Sequence, residues 1–409
     1  MSKLKNWGVN LGLTLGSLAV GVLIGEVGLR AANVTGYQKI GEVVDSAPTI
    51  FHTSDPDRGW GLKPGAAGEW RGEGSSYVRI NSDGLRDREH NKAKPKNAFR
   101  IAVLGDSFTE AIHVPMERTF WAKMENRLGK CESLKGKQVE VINFGVQGYG
   151  TAQELITLRE KVWDYKPDIV ILAFFIGNDI INNSRQLEYD HYRPFFTYDR
   201  NGKLVEDMSF RNLPTVDRNR YAVSIVDRFP TWLVNNSRIL QVAKKVELDI
   251  KKSQISDNFA DLSAKSLKEP ENVDWKEAWR VTEGLIVLMR DEVVQKKADF
   301  LLVNIGDPMQ VQPDPLKTKE FMQQYKIQDL FYADRRIQAL GDRTGFPVLN
   351  LAQPFQTYAE QNKVCLHGFD NSLACGGHWN PEGHRLAAKM IAEKLCERVK
   401  LLQPKSVKQ

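Results

Sequence analysis

The chain has 409 residues, of which 42% are hydrophobic and 26% are charged. This length and composition fit a globular domain with additional segments. Its 57 basic residues only slightly outnumber its 51 acidic residues, and no lysine–arginine cluster alternates with aromatic residues. The charge pattern therefore argues against a nucleic-acid partner.

The N-terminal segment 1–30 is predicted to be a signal-anchor transmembrane helix. No charged residue occurs from Trp7 to Gly25, and a helix of this length spans roughly 28 Å, close to a hydrocarbon core of about 30 Å. Lys3 and Lys5 precede it, so the positive-inside tendency keeps the short N-terminus cytoplasmic. We therefore expect a single-pass membrane protein whose chain after Arg30 lies outside the cytoplasm.

A cleaved signal peptide is the alternative interpretation of this segment. Ala31 and Ala32 offer small residues for cleavage, and the mature chain would then begin near Asn33. Glu26 and Arg30 lie where a cleavage region favours small neutral residues, so the uncleaved anchor is preferred.

Residues 31–97 are predicted to form a small β-rich accessory segment. They are rich in Gly, Pro, Asp and Ser, and the alternating stretch 77–80 is followed by Asn-Ser-Asp-Gly, a pattern typical of a strand and a turn. Trp60 and Trp70 could contact carbohydrate, but structural packing is the preferred interpretation.

Residues 98–401 carry an α/β pattern, with short apolar runs that alternate with helical patterns. This alternation predicts a parallel sheet with helices on both faces. The predicted strands are Phe99–Leu104, Gln138–Asn143, Ile169–Ile176, Phe300–Ile305 and Pro347–Leu351. The predicted helices are Glu117–Leu128, Ala152–Tyr165, Trp275–Lys297, Tyr325–Leu340 and 382–401.

The segment at about 182–274 interrupts this α/β pattern. It is too long for an ordinary loop and shows little strand pattern, so it is interpreted as an insertion, with a lid near the site as one role. Its clearest element is a basic helix predicted over Trp232–Ile250.

The first predicted strand ends at Gly105-Asp106-Ser107, directly before an apparent helix start. Such a turn places a serine hydroxyl at the edge of a parallel sheet, where ligands bind in open α/β folds. Taken alone, the motif fits a helix N-cap equally well.

Three other motifs follow strand ends or precede the last helix. Gly145 lies in a glycine-rich loop, Asn178 follows the third strand within Gly-Asn-Asp, and His378 lies in a Gly-Gly-His-Trp-Asn loop. Each is explained singly by ordinary turn chemistry. Their joint occurrence predicts a nucleophilic serine, a histidine base and oxyanion donors.

These four blocks resemble those of the SGNH (GDSL-like) hydrolase superfamily over most of residues 99–400. An Asn-Ser-x-Gly-Leu-Arg-Asp segment at 81–87 is also similar to a membrane-anchored bacterial branch. The resemblance implies a flavodoxin-like three-layer α/β/α sandwich with a five-stranded parallel sheet. It also implies that Ser107 is the nucleophile and His378 the base, and that Gly145, Asn178 and the Ser107 amide form the oxyanion hole.

The chain departs from this family three residues before the histidine, where an aspartate is usual and Cys375 stands. Three outcomes remain open: Asp370 orients His378, a backbone carbonyl does so in a Ser–His dyad, or the activity is weakened. The carbonyl is preferred, with Asp370 next. His384 falls in the last predicted helix and is expected to be structural.

The four cysteines suit an oxidising exterior and allow three connectivities. Cys365 and Cys375 flank a short polar loop. Cys131 follows the first helix of the domain and Cys396 lies in the last, and these helices share a face in a flavodoxin-like winding. We therefore predict Cys365–Cys375 and Cys131–Cys396.

The preferred function is a membrane-anchored serine esterase that removes a small acyl group, especially acetyl, from an envelope or exported glycan. The expected partners are this ester substrate and the membrane; no cofactor or metal is required, because Ser107 supplies the nucleophile. One alternative is an O-acyltransferase that uses the same Ser–His site. Another is a noncatalytic envelope-binding protein that retains the fold.

Overall fold

The computed structural model describes residues 2–32, 50–213, 226 and 229–402. They form two compact units: the first comprises residues 2–32, 226 and 229–259, and the second comprises 50–213 and 260–402. Residues 33–49 of the predicted accessory segment lie outside the described residues. Residues 214–225 and 227–228 of the predicted insertion also lie outside them. So does Asn33, the start expected after cleavage.

The first unit contains the N-terminal helix α1 (Ser2–Ala31) and the helix α6 (Thr231–Asn236). Among the described residues, one helix is long and apolar enough to cross a membrane, over Gly12–Ala31 of α1. The helix predicted over Trp232–Ile250 is instead divided at Ser237, where α6 ends and α7 (Arg238–Ser266) begins.

The second unit is organised around a five-stranded sheet in which every strand is parallel to its neighbours. The strands are β5 (Ala98–Gly105), β6 (Gln138–Asn143), β7 (Ile169–Phe175), β10 (Asp299–Ile305) and β11 (Val348–Asn350). They lie in the order β11-β10-β7-β5-β6 across the sheet. The predicted α/β class and all five strands are confirmed.

Nine helices are described in this unit besides the end of α7. They are α2 (Ser107–Glu110), α3 (Phe120–Leu128), α4 (Thr151–Glu160), α5 (Asp179–Asn182), α8 (Val273–Gln295), α9 (Pro315–Tyr325), α10 (Tyr332–Thr344), α11 (Ala352–Asn362) and α12 (Pro381–Leu402). The helix predicted over Tyr325–Leu340 is wrong at its start, because Lys326 takes a left-handed conformation that ends α9.

The sheet has a separate hydrophobic core on each face, because alternate side chains of a strand point in opposite directions. Ala102 and Leu104 of β5 contribute to the core that contains α4, α8 and α10. Ile101 and Val103 contribute to the opposite core with α3, α11 and α12. The result is the predicted three-layer α/β/α sandwich.

Three small antiparallel hairpins accompany the sheet. Two are formed by the predicted β-rich segment: β1 (His52–Asp55) pairs with β2 (Gly59–Leu62), and β3 (Ala67–Trp70) pairs with β4 (Ser76–Arg79). The third, β8 (Phe195–Tyr198) with β9 (Leu204–Asp207), lies in the insertion, where the sequence showed little strand pattern. Trp60 and Trp70 are buried, which agrees with the packing role preferred for them.

Both predicted disulfides are present. Cys131 pairs with Cys396, and Cys365 pairs with Cys375. The first bond joins the region after α3 to α12, which lie on the same face of the sheet as predicted. The second closes the loop that precedes His378.

Candidate active site

The nucleophile candidate lies at the tight turn that follows β5. Asp106 caps α2 by accepting the Phe108 N–H, and Ser107 is the first residue of that helix. A Cβ atom on Gly105 would lie 2.2 Å from Thr109 Oγ1. Glycine is therefore required where the chain turns, and the turn places the serine at the carboxyl edge of the sheet.

The structure brings Ser107 and His378 together. The distance from His378 Nε2 to Ser107 Oγ is 2.8 Å, within hydrogen-bond range. The imidazole comes from the loop before α12, and the ring of Phe108 lies 5.0 Å from its ring, centroid to centroid. This is the nucleophile–base geometry expected from the sequence.

The carboxylate that contacts His378 comes from the N-terminal β-rich segment. Glu73 Oε2 lies 2.5 Å from His378 Nδ1, and Oε1 accepts the His378 backbone N–H at 2.8 Å. Burial raises the pKa of Glu73, but its hydrogen bonds and charge interaction with His378 outweigh burial and hold that pKa below its ordinary value. Glu73 is therefore ionised at neutral pH.

This contact corrects the two orienting groups preferred from the sequence. The partner at Nδ1 is the Glu73 carboxylate rather than a backbone carbonyl, and Asp370 is exposed in the loop before His378. Sequence reasoning missed Glu73 because it is 305 residues from His378. The available indication was Cys375, which left the usual carboxylate position empty, together with a glutamate between glycines at 72–74.

Glu73 is held in place by hydrogen bonds within its own segment and between that segment and the histidine loop. The Trp70 indole donates to the Glu73 carbonyl at 2.8 Å. Asn371 accepts the Gly74 N–H and donates to the Gly74 carbonyl, both at 2.9 Å. The reciprocal pair fixes the β3–β4 turn against the loop that carries His378.

The other two predicted residues lie beside the nucleophile turn. Asn178 Nδ2 donates to Asp106 Oδ2 at 2.9 Å, which leaves its second hydrogen available. The Gly145 N–H donates to Asn143 Oδ1 at 2.9 Å. A Cβ atom on Gly145 would lie 2.5 Å from Glu110 N, so glycine is also needed there for the close approach of α2.

Glu73, His113 and His378 each offer one ligand atom within 4.8 Å of the others, a set of residue types that can bind a metal. However, the two imidazole rings are stacked, with centroids 3.8 Å apart and an interplanar angle of 17°. Ring lone pairs lie in the ring planes, so those of stacked rings do not converge on one ion. The arrangement is that of an aromatic stack.

The other predicted histidine, His384, is structural, as expected. It is buried on α12, and its Nδ1 accepts the N–H of Phe120 at the start of α3. Burial lowers the pKa of His384 to about 3, with smaller effects from neighbouring cations. The ring therefore stays neutral and serves as a hydrogen-bond acceptor.

The Asn-Ser-x-Gly-Leu-Arg-Asp segment braces two of the site's loops. The fully buried Arg86 donates to the carbonyls of Glu110, the last residue of α2, and of Ala111 and Val114 in the loop that follows it. The neighbouring Asp87 accepts the N–H of Asn143, which in turn orients Gly145. The segment thus joins the nucleophile turn to the glycine-rich loop.

The family model for the GDSL-like lipase/acylhydrolases matches residues 101–391, well over half of the chain. The chain belongs to this family. This GDSL-like protein is accordingly a carboxylic ester hydrolase. No curated protein is a significant match to the chain.

Solved structures similar to this GDSL-like protein share little sequence with it. A GDSL-like lipase from Bacteroides thetaiotaomicron is 14% identical, covering 75% of this chain and 91% of its own, with a TM-score of 0.32. The acetyl xylan esterase AlAXEase is 14% identical, covering 73% and 100%, with a TM-score of 0.38. A catalytic mutant of an acetylxylan esterase from Geobacillus stearothermophilus is 9% identical, covering 74% and 96%, with a TM-score of 0.37.

Proposed function

We propose that this protein is a membrane-anchored, extracytoplasmic serine esterase that removes a small acyl group, such as acetyl, from a glycan through an acyl-enzyme. The observation that carries the proposal is the continuous contact from Ser107 Oγ through both ring nitrogens of His378 to the Glu73 carboxylate. Serine, imidazole and carboxylate in this order are the groups that acyl transfer to a hydroxyl requires.

In the first step Ser107 Oγ attacks the ester carbonyl while its proton moves to His378 Nε2. The Nδ1 proton stays between His378 and Glu73, whose negative charge stabilises the imidazolium. When the tetrahedral intermediate collapses, the bond to the alcohol breaks and His378 gives its proton to the leaving oxygen. Water then attacks the carbonyl of the acyl-serine while His378 accepts a proton from it. When this second intermediate collapses, the bond to Ser107 Oγ breaks and His378 returns the proton to that oxygen, which releases the carboxylic acid and restores the serine.

The oxyanion of each tetrahedral intermediate needs neutral donors at the sheet edge. We assign this role to the Ser107 backbone N–H and the second Nδ2 hydrogen of Asn178. The Gly145 N–H, which donates to Asn143 in the resting structure, is the third donor. Uncharged donors stabilise a developing anion without holding it in a permanent ion pair.

Two observations support the extracytoplasmic location. Helix α1 contains a candidate membrane span, and the lysines that precede it favour a cytoplasmic N-terminus. All four cysteines are paired in disulfides, which persist in oxidising compartments. We propose a small acyl group and a glycan as the substrate because of this location and because of the resemblance to the family.

The decisive experiment is fluorophosphonate labelling of the full chain in detergent, followed by peptide mass spectrometry. We expect one adduct at Ser107, none in Ser107→Ala, and hydrolysis of aryl acetates by the unmodified protein. A chain that is neither labelled nor active on aryl acetates is not a serine esterase. Product analysis with a glycan acceptor tests acyl transfer, because transfer to the acceptor in place of water would contradict the hydrolase assignment.

Asn178→Ala should lower kcat by roughly 100-fold or more, because removal of one oxyanion donor typically costs about 3 kcal/mol in the transition state. KM should change little, since the donor acts on the tetrahedral intermediate. Steady-state hydrolysis of an aryl acetate measures both constants. Asn201→Ala removes an exposed amide from the β8–β9 turn and serves as the control; equal activity of the two variants would remove Asn178 from the oxyanion hole.

A further inference from the structure

His113 lies outside the motifs that predicted the site, yet its ring covers one face of His378. The two ring centroids are 3.8 Å apart with an interplanar angle of 17°, while Phe108 lies at 5.0 Å and 44°. The nitrogen edges of His378 meet Ser107 and Glu73. The base therefore has aromatic neighbours as well as a partner at each ring nitrogen.

The surroundings of His113 fix its ring. It is 3% exposed, it meets the edge of Trp70 at 5.9 Å, and Phe369 stacks at 6.3 Å. The backbone around it is held as well. The Ile112 carbonyl accepts the Ser76 hydroxyl, and the Val114 carbonyl accepts from Arg86. A ring held in this way cannot move without disturbing its neighbours.

His113 acts through its ring face rather than through a nitrogen. The distance from its Nε2 to Glu73 Oε2 is 3.8 Å, beyond hydrogen-bond range. Burial lowers the pKa of His113 well below its ordinary value, and the neighbouring His378 lowers it further. The ring is therefore neutral and adds no positive charge beside the imidazolium that forms during acylation.

We propose that His113 is a positioning residue whose ring, stacked on His378, keeps the imidazole aligned between Ser107 and Glu73. The inference rests on the proposed function and deepens it. The carboxylate that contacts His378 comes from a segment 305 residues away along the chain. His113 contacts both the imidazole of His378 and Trp70 of the segment that carries Glu73. It therefore packs where the histidine loop meets the segment that supplies the carboxylate.

The test compares His113→Ala, which removes the stack, with His113→Phe, which keeps an aromatic face of similar size. The first readout is the rate of fluorophosphonate labelling at Ser107, together with kcat and KM for an aryl acetate. The second readout is the downfield proton resonance of His378 Nδ1–H in ¹⁵N-histidine-labelled full chain, assigned by its loss in Glu73→Gln. Thermal unfolding of each variant monitors folding.

We expect His113→Ala to slow labelling and lower kcat by about 10-fold or more with KM unchanged, and to broaden the resonance, because misalignment weakens the reactive geometry. His113→Phe should restore the rate to within about threefold of the wild type and keep the resonance. Wild-type rates and resonance in His113→Ala would overturn the inference, as would a phenylalanine variant as impaired as the alanine one. If the unmodified chain is not labelled at all, the proposed function fails. The Nδ1–H resonance still reports, in that case, whether His113 keeps His378 aligned with Glu73.

Discussion

Glu73→Gln should reduce kcat for aryl ester hydrolysis by about 10³-fold or more, with a much smaller change in KM. The comparable substitution in a serine protease triad, aspartate to asparagine, costs about 10⁴-fold in kcat. Glutamine keeps the size of Glu73 but removes its charge. It also presents an amide, which can donate to Nδ1 and so favour the imidazole tautomer that cannot accept a proton at Nε2.

The reason for so large an effect is that Glu73 makes two contacts with the same residue. One oxygen meets Nδ1 and the other accepts the His378 backbone N–H. Since these interactions hold the pKa of Glu73 below its ordinary value, the carboxylate is charged when the base must accept the serine proton. The charge stabilises the imidazolium that forms in the transition state.

Asp370→Asn is the matched control, because Asp370 is a carboxylate in the loop that carries His378 but is exposed. Its activity should equal that of the wild type. Steady-state kinetics on aryl acetates and fluorophosphonate labelling rates measure both variants, and thermal unfolding checks that each is folded. If Asp370→Asn were the slower enzyme, the carboxylate assignment would have to be reversed.

The sheet could be predicted because its strands are short, mostly apolar segments that alternate with helical patterns, and the central strand β7 is apolar throughout. The hydrolase motifs could be predicted for a related reason: each lies within a few residues of a strand end or a helix start. Ser107 and His378 are therefore placed by local sequence, even though 271 residues separate them.

Glu73 could not be predicted in this way, because its role depends on where a hairpin packs. The turn between β3 and β4 carries no pattern that indicates which loop it meets. The contacts that decide this are Asn371 with Gly74 and His113 with Trp70. Helix α11 was missed for a different reason: two of its three buried residues, Ala352 and Ala359, are alanines, so its apolar face is weak in the sequence.

Arg86→Leu should lower the free energy of unfolding by about 4 kcal/mol, a large part of the roughly 5–15 kcal/mol that stabilises a typical protein. Arg86 is fully buried and donates to three carbonyls, at 2.7 Å to Glu110, 2.7 Å to Ala111 and 2.6 Å to Val114. Burial lowers the pKa of Arg86 to about 10, so the guanidinium remains charged at neutral pH.

Leucine removes the cost of burying this charge, but it leaves the carbonyl acceptors behind. A buried acceptor without a donor costs about 1–3 kcal/mol, so the loss of three donors outweighs the gain even after partial relaxation. Arg86→Lys should fall between the wild type and Arg86→Leu, because a single ammonium group cannot match the fork that reaches all three carbonyls.

Urea denaturation followed by tryptophan fluorescence measures these differences, and Arg79→Leu provides the comparison. Arg79 is an exposed arginine of β4, seven residues away in the same segment, and its replacement should change the free energy of unfolding by less than about 0.5 kcal/mol. A loss below about 1 kcal/mol in Arg86→Leu would mean that the carbonyls find other donors. The loop after α2 would then not depend on Arg86, and the position of His113 on His378 would have to be maintained by the aromatic contacts and the hydrogen bond from Ser76 to the Ile112 carbonyl.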